Sequence, residues 1–303
     1  MIRTFPKGKE RTRISGRGLW YGGVCALLLL LLAGCGGSTS APPSTTKAAV
    51  SPPSDLITPG SLIVGSDTTY APQEYIDVTS NHAAGFDVDL ISAIAQKMGL
   101  TAQVQTTGFD TIINSLASKR FDVVISAITI TPDRQAKAAF IPYFNAGESL
   151  LVPKGNPKGL KTVADLCGLQ VGVQTGTVEQ TDLKTASTAC QKAGKKAIAT
   201  TVLQKQTDVI QLLATGRVDA TYQDSPVTDY YLKQHQGQFD VGGSVVNAAL
   251  EGIAVRKGDA AMLKAVKAAF AAVVKDGTYH KLIEKWGLTS EEISSSQMNS
   301  ASS

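Results

Sequence analysis

The chain has 303 residues, 43% of them apolar and 18% charged, which is the balance of an ordinary globular protein rather than a disordered or low-complexity one. Lys and Arg number 29 against 25 Asp and Glu, yet six of those bases and one of those acids fall within the first 34 residues, leaving 23 against 24. The positive excess therefore belongs to the N-terminal segment, and the remainder offers no basic surface for nucleic acid.

That segment reads as an address. Arg3, Lys7, Lys9, Arg11, Arg13 and Arg17 form a basic region, and residues 19–32 form an apolar one whose core is too short to span a bilayer. Leu32-Ala33-Gly34-Cys35 follows and resembles a bacterial lipobox, so residues 1–34 are expected to be a lipoprotein signal peptide and Cys35 the lipidated first residue. Residues 35–58 are rich in Ser, Thr, Pro and Ala and read as a flexible tether. Of the remaining cysteines, Cys25 leaves with the signal. Cys167 and Cys190 form an even pair in an exported chain, for which a disulfide is the natural reading. Closing that loop contributes about 3 kcal/mol on the loop-entropy view. No His stands near the pair to make a metal site, and no cofactor is implied.

The globular part starts near residue 59. A buried strand is expected over 62–65, ending in a polar turn with Asp67 and Tyr70. Asp87 is expected to cap a helix to Met98 with Ile91, Ile94, Ala95 and Met98 on one face, stopped by Gly99. A strand over 102–106 follows, then a helix from Asp110 just after Phe109, then an apolar strand over 121–125. Thr131, Pro132 and Asp133 have the order of an N-cap, a first helical residue and a dipole-complementing acid. Strand 148–152 precedes a Pro- and Gly-rich break at 153–159, which reads as a boundary. A second alternating set follows: helix to 166, strand 169–173, the turn Thr175-Gly176-Thr177, helix to 192, strand 197–202, helix to Gly216, strand 217–222, and a helix opened by Pro226. One more strand, 252–256, leads to two helices with apolar faces, and a polar tail is expected to fray beyond 289.

Alternating strands and helices predict mostly parallel sheets flanked by helices, an α/β fold whose ligands sit beyond the carboxyl ends of the strands. Asp67, Phe109, residues 126–129, residues 174–177 and Asp224 all fall after strands or at helix starts. Arg134 and the amides around it suit a carboxylate, because guanidinium grips both oxygens and helix starts favour anions. Asp224 and Asp67 suit an ammonium, and Tyr70 and Phe109 offer aromatic surface for a stem or a cation. Together they describe an amino-acid zwitterion. They describe a catalytic site poorly: there are three His, none in a motif position, and no nucleophile elbow, phosphate loop or zinc pair.

Five stretches carry a resemblance: 62–72 (LIVGSDTTYAP), 85–90 (GFDVDL), 121–134, 169–177 and 216–220 (GRVDA). In this order they are similar to the family 3 extracellular solute-binding proteins, which feed polar amino acids to ABC importers. The likeness covers nearly all of residues 60–288, nearest the lysine/arginine/ornithine-, histidine- and glutamine-binding branches. It implies a two-lobed periplasmic-binding-protein fold of type II with two crossovers: lobe 1 at 60–150 plus 246–290, lobe 2 at 151–245, and a disordered tail at 291–303. It implies that Arg134 holds the ligand α-carboxylate, helped by the Thr129 backbone and the turn around Val178. Asp224 takes the α-ammonium with the Ala127 carbonyl, Tyr70 and Phe109 sandwich the side chain, Asp67 meets its far end, and Ser126 and Gln174 are pocket walls. Departures fall at Gln73, where an aromatic is usual, and at Ala127, Val178 and Gln174. A cationic side chain is expected, since an unpaired Asp67 in a dry cleft wants a positive partner; a glutamine-specific pocket is the alternative. The implied partners are a free amino acid, ABC permease and ATPase subunits and, through Cys35, the outer face of the cell membrane, with the protein a monomer and not an enzyme. A sensor module and a cyclohexadienyl-dehydratase-like enzyme on the same fold are the competing classes.

Overall fold

The computed structural model describes residues 48–298 and 300. The signal segment, Cys35 and most of the tether lie outside the described residues. In chain order the elements are β1 (Ser61–Ser66), β2 (Thr69–Tyr70), β3 (Glu74–Asp77), β4 (His82–Ala84), α1 (Phe86–Lys97), β5 (Thr101–Thr106) and α2 (Ile112–Ala117). Then come β6 (Val123–Val124), α3 (Pro132–Gln135), β7 (Ala138–Pro153), β8 (Gln170–Gln174), α4 (Val178–Lys192) and β9 (Ala199–Leu203). The chain closes with α5 (Gln206–Ala214), β10 (Ala220–Asp224), α6 (Ser225–Gln234), β11 (Phe239–Arg256), α7 (Ala260–Lys275), α8 (Thr278–Trp286) and α9 (Ser295–Met298).

The eight-stranded sheet runs β5-β1-β6-β11-β7-β10-β8-β9. Parallel pairs lie at its two ends, β1 with β5 and β6, and β8 with β9 and β10, while β7 and β11 run antiparallel through its middle. Each end is packed on both faces, as parallel strands require. Along β1 the alternation is direct: Leu62 and Val64 join a core with Phe86, Ile91, Tyr143 and Phe270, whereas Ile63 joins Phe121, Val124 and Phe140 on the opposite face. At the far end Val171, Val173, Leu183 and Tyr222 form one core, and Leu151, Ile210, Leu213 and Phe239 form the other. This is the two-lobed α/β fold of a type II periplasmic-binding protein. β7 feeds both lobes, with Ile141 and Tyr143 in the first core and Leu150 and Val152 in the second.

Asp87 does not cap α1, which starts at Phe86 with Gly85 at the N-cap position, because the Asp87 carboxyl is turned inward to the Ala127 amide and Tyr143. The signal at α3 operates as the sequence predicts. The Thr131 hydroxyl accepts from the Arg134 amide at 3.3 Å with Pro132 at the first position of α3. Thr177 caps α4 in the same way, and Asp259 caps α7. Cys167 and Cys190 are disulfide-bonded, their Cα atoms 5.6 Å apart, which ties the end of a short 3-10 turn (Val163–Leu166) to the last turn of α4.

Several expectations need correction. The strand placed at 121–125 pairs only at Val123 and Val124, because Asp122 turns inward to accept from the Ile63 amide at 2.8 Å. The strands placed at 148–152 and 252–256 are the ends of two far longer ones. Gly242-Gly243 hid the latter: Gly243, at φ +84, lies so close to Lys161 that an added Cβ would stand 1.9 Å from its carbonyl oxygen. The small sheet β2-β3-β4 has no clear signal in its mixed polar sequence. The tail holds its order further than expected, since Ile293 enters the first-lobe core at 3% exposure and α9 follows it.

Candidate functional site

A buried cavity opens where the carboxyl ends of β1, β8 and β10 and the start of α3 converge. It is lined by Asp67, Tyr70, Glu74, Phe109, Ala127, Thr129, Arg134, Gln174, Thr177, Val178, Glu179 and Asp224. Nine of the ten binding residues expected from the sequence are in that lining. The tenth, Ser126, stands one layer behind: its hydroxyl accepts from the Asp67 amide at 2.9 Å and donates to Glu74 Oε1 at 2.8 Å. The sequence reading missed Glu74, Thr177 and Glu179. Thr177 was read only as part of a turn, and buried acids in a short strand or at a helix start resemble solvated ones.

The arginine is anchored from both lobes. Arg134 Nη1 donates to the Thr129 carbonyl at 2.7 Å and Nη2 to the Gly176 carbonyl at 3.1 Å, with the guanidinium 5.3 Å from the centre of the Phe109 ring. Gly176 sits at φ +79, and an added Cβ would stand 2.8 Å from Asp110 Cα, so this close turn requires glycine. Burial lowers the Arg134 pKa from its ordinary value, opposed by the carboxylates of Glu179, Asp224 and Glu251.

Facing it, Tyr70 Oη donates to Asp224 Oδ2 at 2.8 Å. Burial pushes Asp224 up to about 6, although Tyr70 and Arg134 both pull it down. At the other wall, Asp67 Oδ1 accepts from the Thr69 hydroxyl at 2.9 Å and Oδ2 from Gln174 Nε2. The expectation of an unpaired Asp67 is therefore wrong: Gln174 reaches it from the other lobe. Those two neutral donors do not offset burial, which still raises Asp67 to about 6.

Ala127 takes φ +46, a left-handed conformation costly for a residue with a Cβ. Its amide donates to Asp87 Oδ2 at 3.1 Å, and Tyr143 Oη donates to the same oxygen at 2.6 Å. A buried carboxyl thus holds the strand-end turn in the shape that turns the Ala127 backbone to the cavity. Behind it, Gln73 Nε2 donates to Glu251 Oε2 at 2.6 Å, which gives the departure at Gln73 a structural role.

Among the described residues, the only base in the cavity lining is Arg134, against four acids. The space between them admits the centre of a water-sized sphere over about 10 Å³, room for about one water. Such a site can hold an ion pair away from water. It has no His, Cys or Ser placed as a nucleophile with a base. No cluster of His, Cys, Asp and Glu suited to a metal, and no helix long and apolar enough to cross a membrane, occurs among the described residues.

Comparison with known proteins agrees with this geometry. The family model for bacterial extracellular solute-binding proteins, family 3, matches residues 62–289. The L-cystine-binding protein TcyJ of Escherichia coli K12 is 34% identical over 228 residues, covering 75% of this chain and 82% of that protein. The histidine-binding periplasmic protein of Salmonella typhimurium is 32% identical over 235 residues, covering 75% and 88%. Among solved structures, an ancestral arginine-binding protein bound to arginine is 37% identical with a TM-score of 0.69, covering 75% of this chain and 98% of that one. With a two-lobed fold, a buried cavity of paired charges and a match along nearly the whole described region, this chain belongs to the bacterial extracellular solute-binding proteins, family 3.

Proposed function

We propose that this protein is the extracytoplasmic substrate-binding component of an ABC importer for polar amino acids. The observation that carries the reading is that Arg134 and Asp224 line one buried cavity and act on each other within it. A guanidinium and a carboxylate held in one cavity match the two charges of a zwitterion, and closure desolvates both pairs together. The relatives named for histidine, cystine and arginine binding support an amino acid as the ligand.

On this reading Arg134 takes the α-carboxylate with the Thr129 backbone and the turn at Val178, and Asp224 and the Ala127 carbonyl take the α-ammonium. Tyr70 and Phe109 cover the side chain, whose far end reaches Asp67 and Gln174 beside Ser126. A cationic side chain suits Asp67, because an acid that burial makes hard to ionise gains most from a positive partner. Lobe 1 is residues 60–150 plus 246–290 and lobe 2 residues 151–245, and ligand favours the closed arrangement because only there do both ends find partners. Cleavage before Cys35 and lipidation there anchor a monomer to the membrane beside its permease and ATPase. The protein releases its ligand unchanged rather than acting as an enzyme.

The test is a thermal-shift screen of the purified protein against the twenty amino acids, ornithine, citrulline and cystine. A ligand at 100 times its Kd adds about 2.7 kcal/mol, a shift of several degrees. A shift with arginine, lysine, ornithine or histidine supports the cationic reading, and one with glutamine alone moves the protein to the amide class. No shift with any of them overturns the proposal. Loss of membrane association in Cys35→Ala tests the anchor.

A further inference from the structure

Glu74 and Glu179 are the acids of the cavity to which none of the roles above is assigned, and Glu179 is the one grouped with Arg134 and Asp224. It lies in the first turn of α4, 2% exposed, and lines the cavity together with Arg134 and Asp224. Its Oε1 atom is buried without a hydrogen-bond partner. The other acids of the lining have named occupations. Asp67 is held by Thr69 and Gln174, Asp224 by Tyr70, and Glu74 by Ser126 through Oε1, although its Oε2 is also without a partner.

The position of Glu179 within the cavity is decided by its neighbours. Among the carboxylates that act on Arg134, Glu179 acts most strongly, ahead of Asp224 and Glu251. Asp224 lines the same cavity and is the carboxylate that acts most strongly on Glu179. It therefore belongs to the Arg134–Asp224 end and not to the Asp67 end. Two interacting carboxyls in one dry cavity cannot both be ionised without a cation between them, so one proton is held by the pair. The groups that face Glu179 from other elements are Asp224 at the end of β10, Glu148 of β7, Glu251 of β11, Tyr70 of β2, Tyr222 of β10 and Arg134 of α3. Arg134 is the one cation of that set, and its guanidinium is already engaged with two carbonyls.

We propose that Glu179 and Asp224 together form a two-carboxylate seat for the ligand's primary ammonium group, which on binding replaces the proton the two acids share. The inference rests on the reading of the cavity as an amino-acid site and extends it. The balance is simple: the shared proton leaves to solvent, the ammonium enters with its charge intact, and no covalent bond of the ligand changes. An ammonium has three N–H donors, and two carboxylates with the Ala127 carbonyl give each an acceptor. Because the seat meets a group common to all α-amino acids, Glu179 governs affinity for the class rather than choice among side chains.

Titration calorimetry near pH 6 with L-arginine, L-histidine, L-glutamine and L-cystine, each in two buffers of different ionisation enthalpy, tests this directly. For each probe that binds, the wild-type protein is expected to release up to one proton, and Glu179→Gln to release less and to weaken every such probe by about tenfold or more, by similar factors. An unchanged melting temperature or circular dichroism spectrum in the variant separates this loss from misfolding, and the wild-type proton count stands without any variant. Binding with no proton release overturns the seat, as does a Glu179→Gln loss confined to arginine and histidine, or no loss at all. If none of the four binds the wild type, the amino-acid reading fails and the seat fails with it.

Discussion

Tyr70 and Asp224 lie 154 positions apart and exchange two hydrogen bonds across the cleft: the hydroxyl donates to Oδ2 at 2.8 Å and accepts from the Asp224 amide at 3.2 Å. Both residues are buried, so each bond lost leaves a polar atom without a partner. Tyr70→Phe is expected to destabilise the protein by about 1–3 kcal/mol, lowering its melting temperature by several degrees. An unchanged melting temperature in calorimetry would mean that the two lobes do not meet through this pair in solution.

Arg134 is expected to matter for binding far more than for folding, because it lies at the cleft rather than in a core cluster. Arg134→Ala leaves the ligand carboxylate unpaired and is expected to weaken binding by several kcal/mol, at least a hundredfold. Arg134→Lys restores the charge without the fork and is expected to recover only part of that loss. Near-normal affinity of the alanine variant by calorimetry would refute the clamp.

Stability is expected to fall as pH rises from about 4 to about 7. Asp67, Asp87 and Asp224 are pushed up to about 6 and Glu148 to about 7, in each case chiefly by burial. Between their ordinary values and these, the folded chain holds more protons than the unfolded one, so the slope of unfolding free energy with pH is negative. The contribution is complete below about pH 4 and is lost as pH passes through the folded values. Melting temperatures across this range check the sign; a steady rise would contradict it. A cationic ligand has the opposite dependence, since it pairs with the ionised acids, and its affinity is expected to strengthen through the same window.

Removing the disulfide by Cys167→Ala with Cys190→Ala is expected to cost about 2–4 kcal/mol in urea unfolding. Neither sulfur lines the cavity, so affinity is expected to stay within about twofold. A large loss of affinity would show that the staple shapes the cleft.

What the sequence made legible followed the range of the forces involved. Capped helices, buried strands and the cysteine pair depend on neighbours or on composition, so Thr131, Pro132 and Cys167 were readable, whereas Asp87, expected as a cap, serves a distant turn instead. Nine lining residues were readable because strand ends and helix starts carry the site, and because motifs at five places fixed the likeness. What stayed hidden depends on distant partners. Gln174 reaches Asp67 from 107 positions away, and no local signal shows that. Glu179 looks like an acid complementing a helix dipole, and only the packing of β10 and α3 against it reveals a buried charge. The long strands were cut short because Gly242-Gly243 and the exposed Val245 and Val246 break the apolar pattern.

The continuity of β7 and β11 also decides how the molecule melts. Each is one strand paired with the other from Ala138 opposite Arg256 to Pro153 opposite Phe239, β11 bordering β6 of the first parallel group and β7 bordering β10 of the second. Neither lobe therefore owns a complete sheet, and loss of one strips hydrogen bonds and core residues from the other. The two lobes are one cooperative unit joined by a shared ribbon. A single unfolding transition follows, in which the fluorescence of Trp286 in the first lobe and the helical signal of both lobes superimpose.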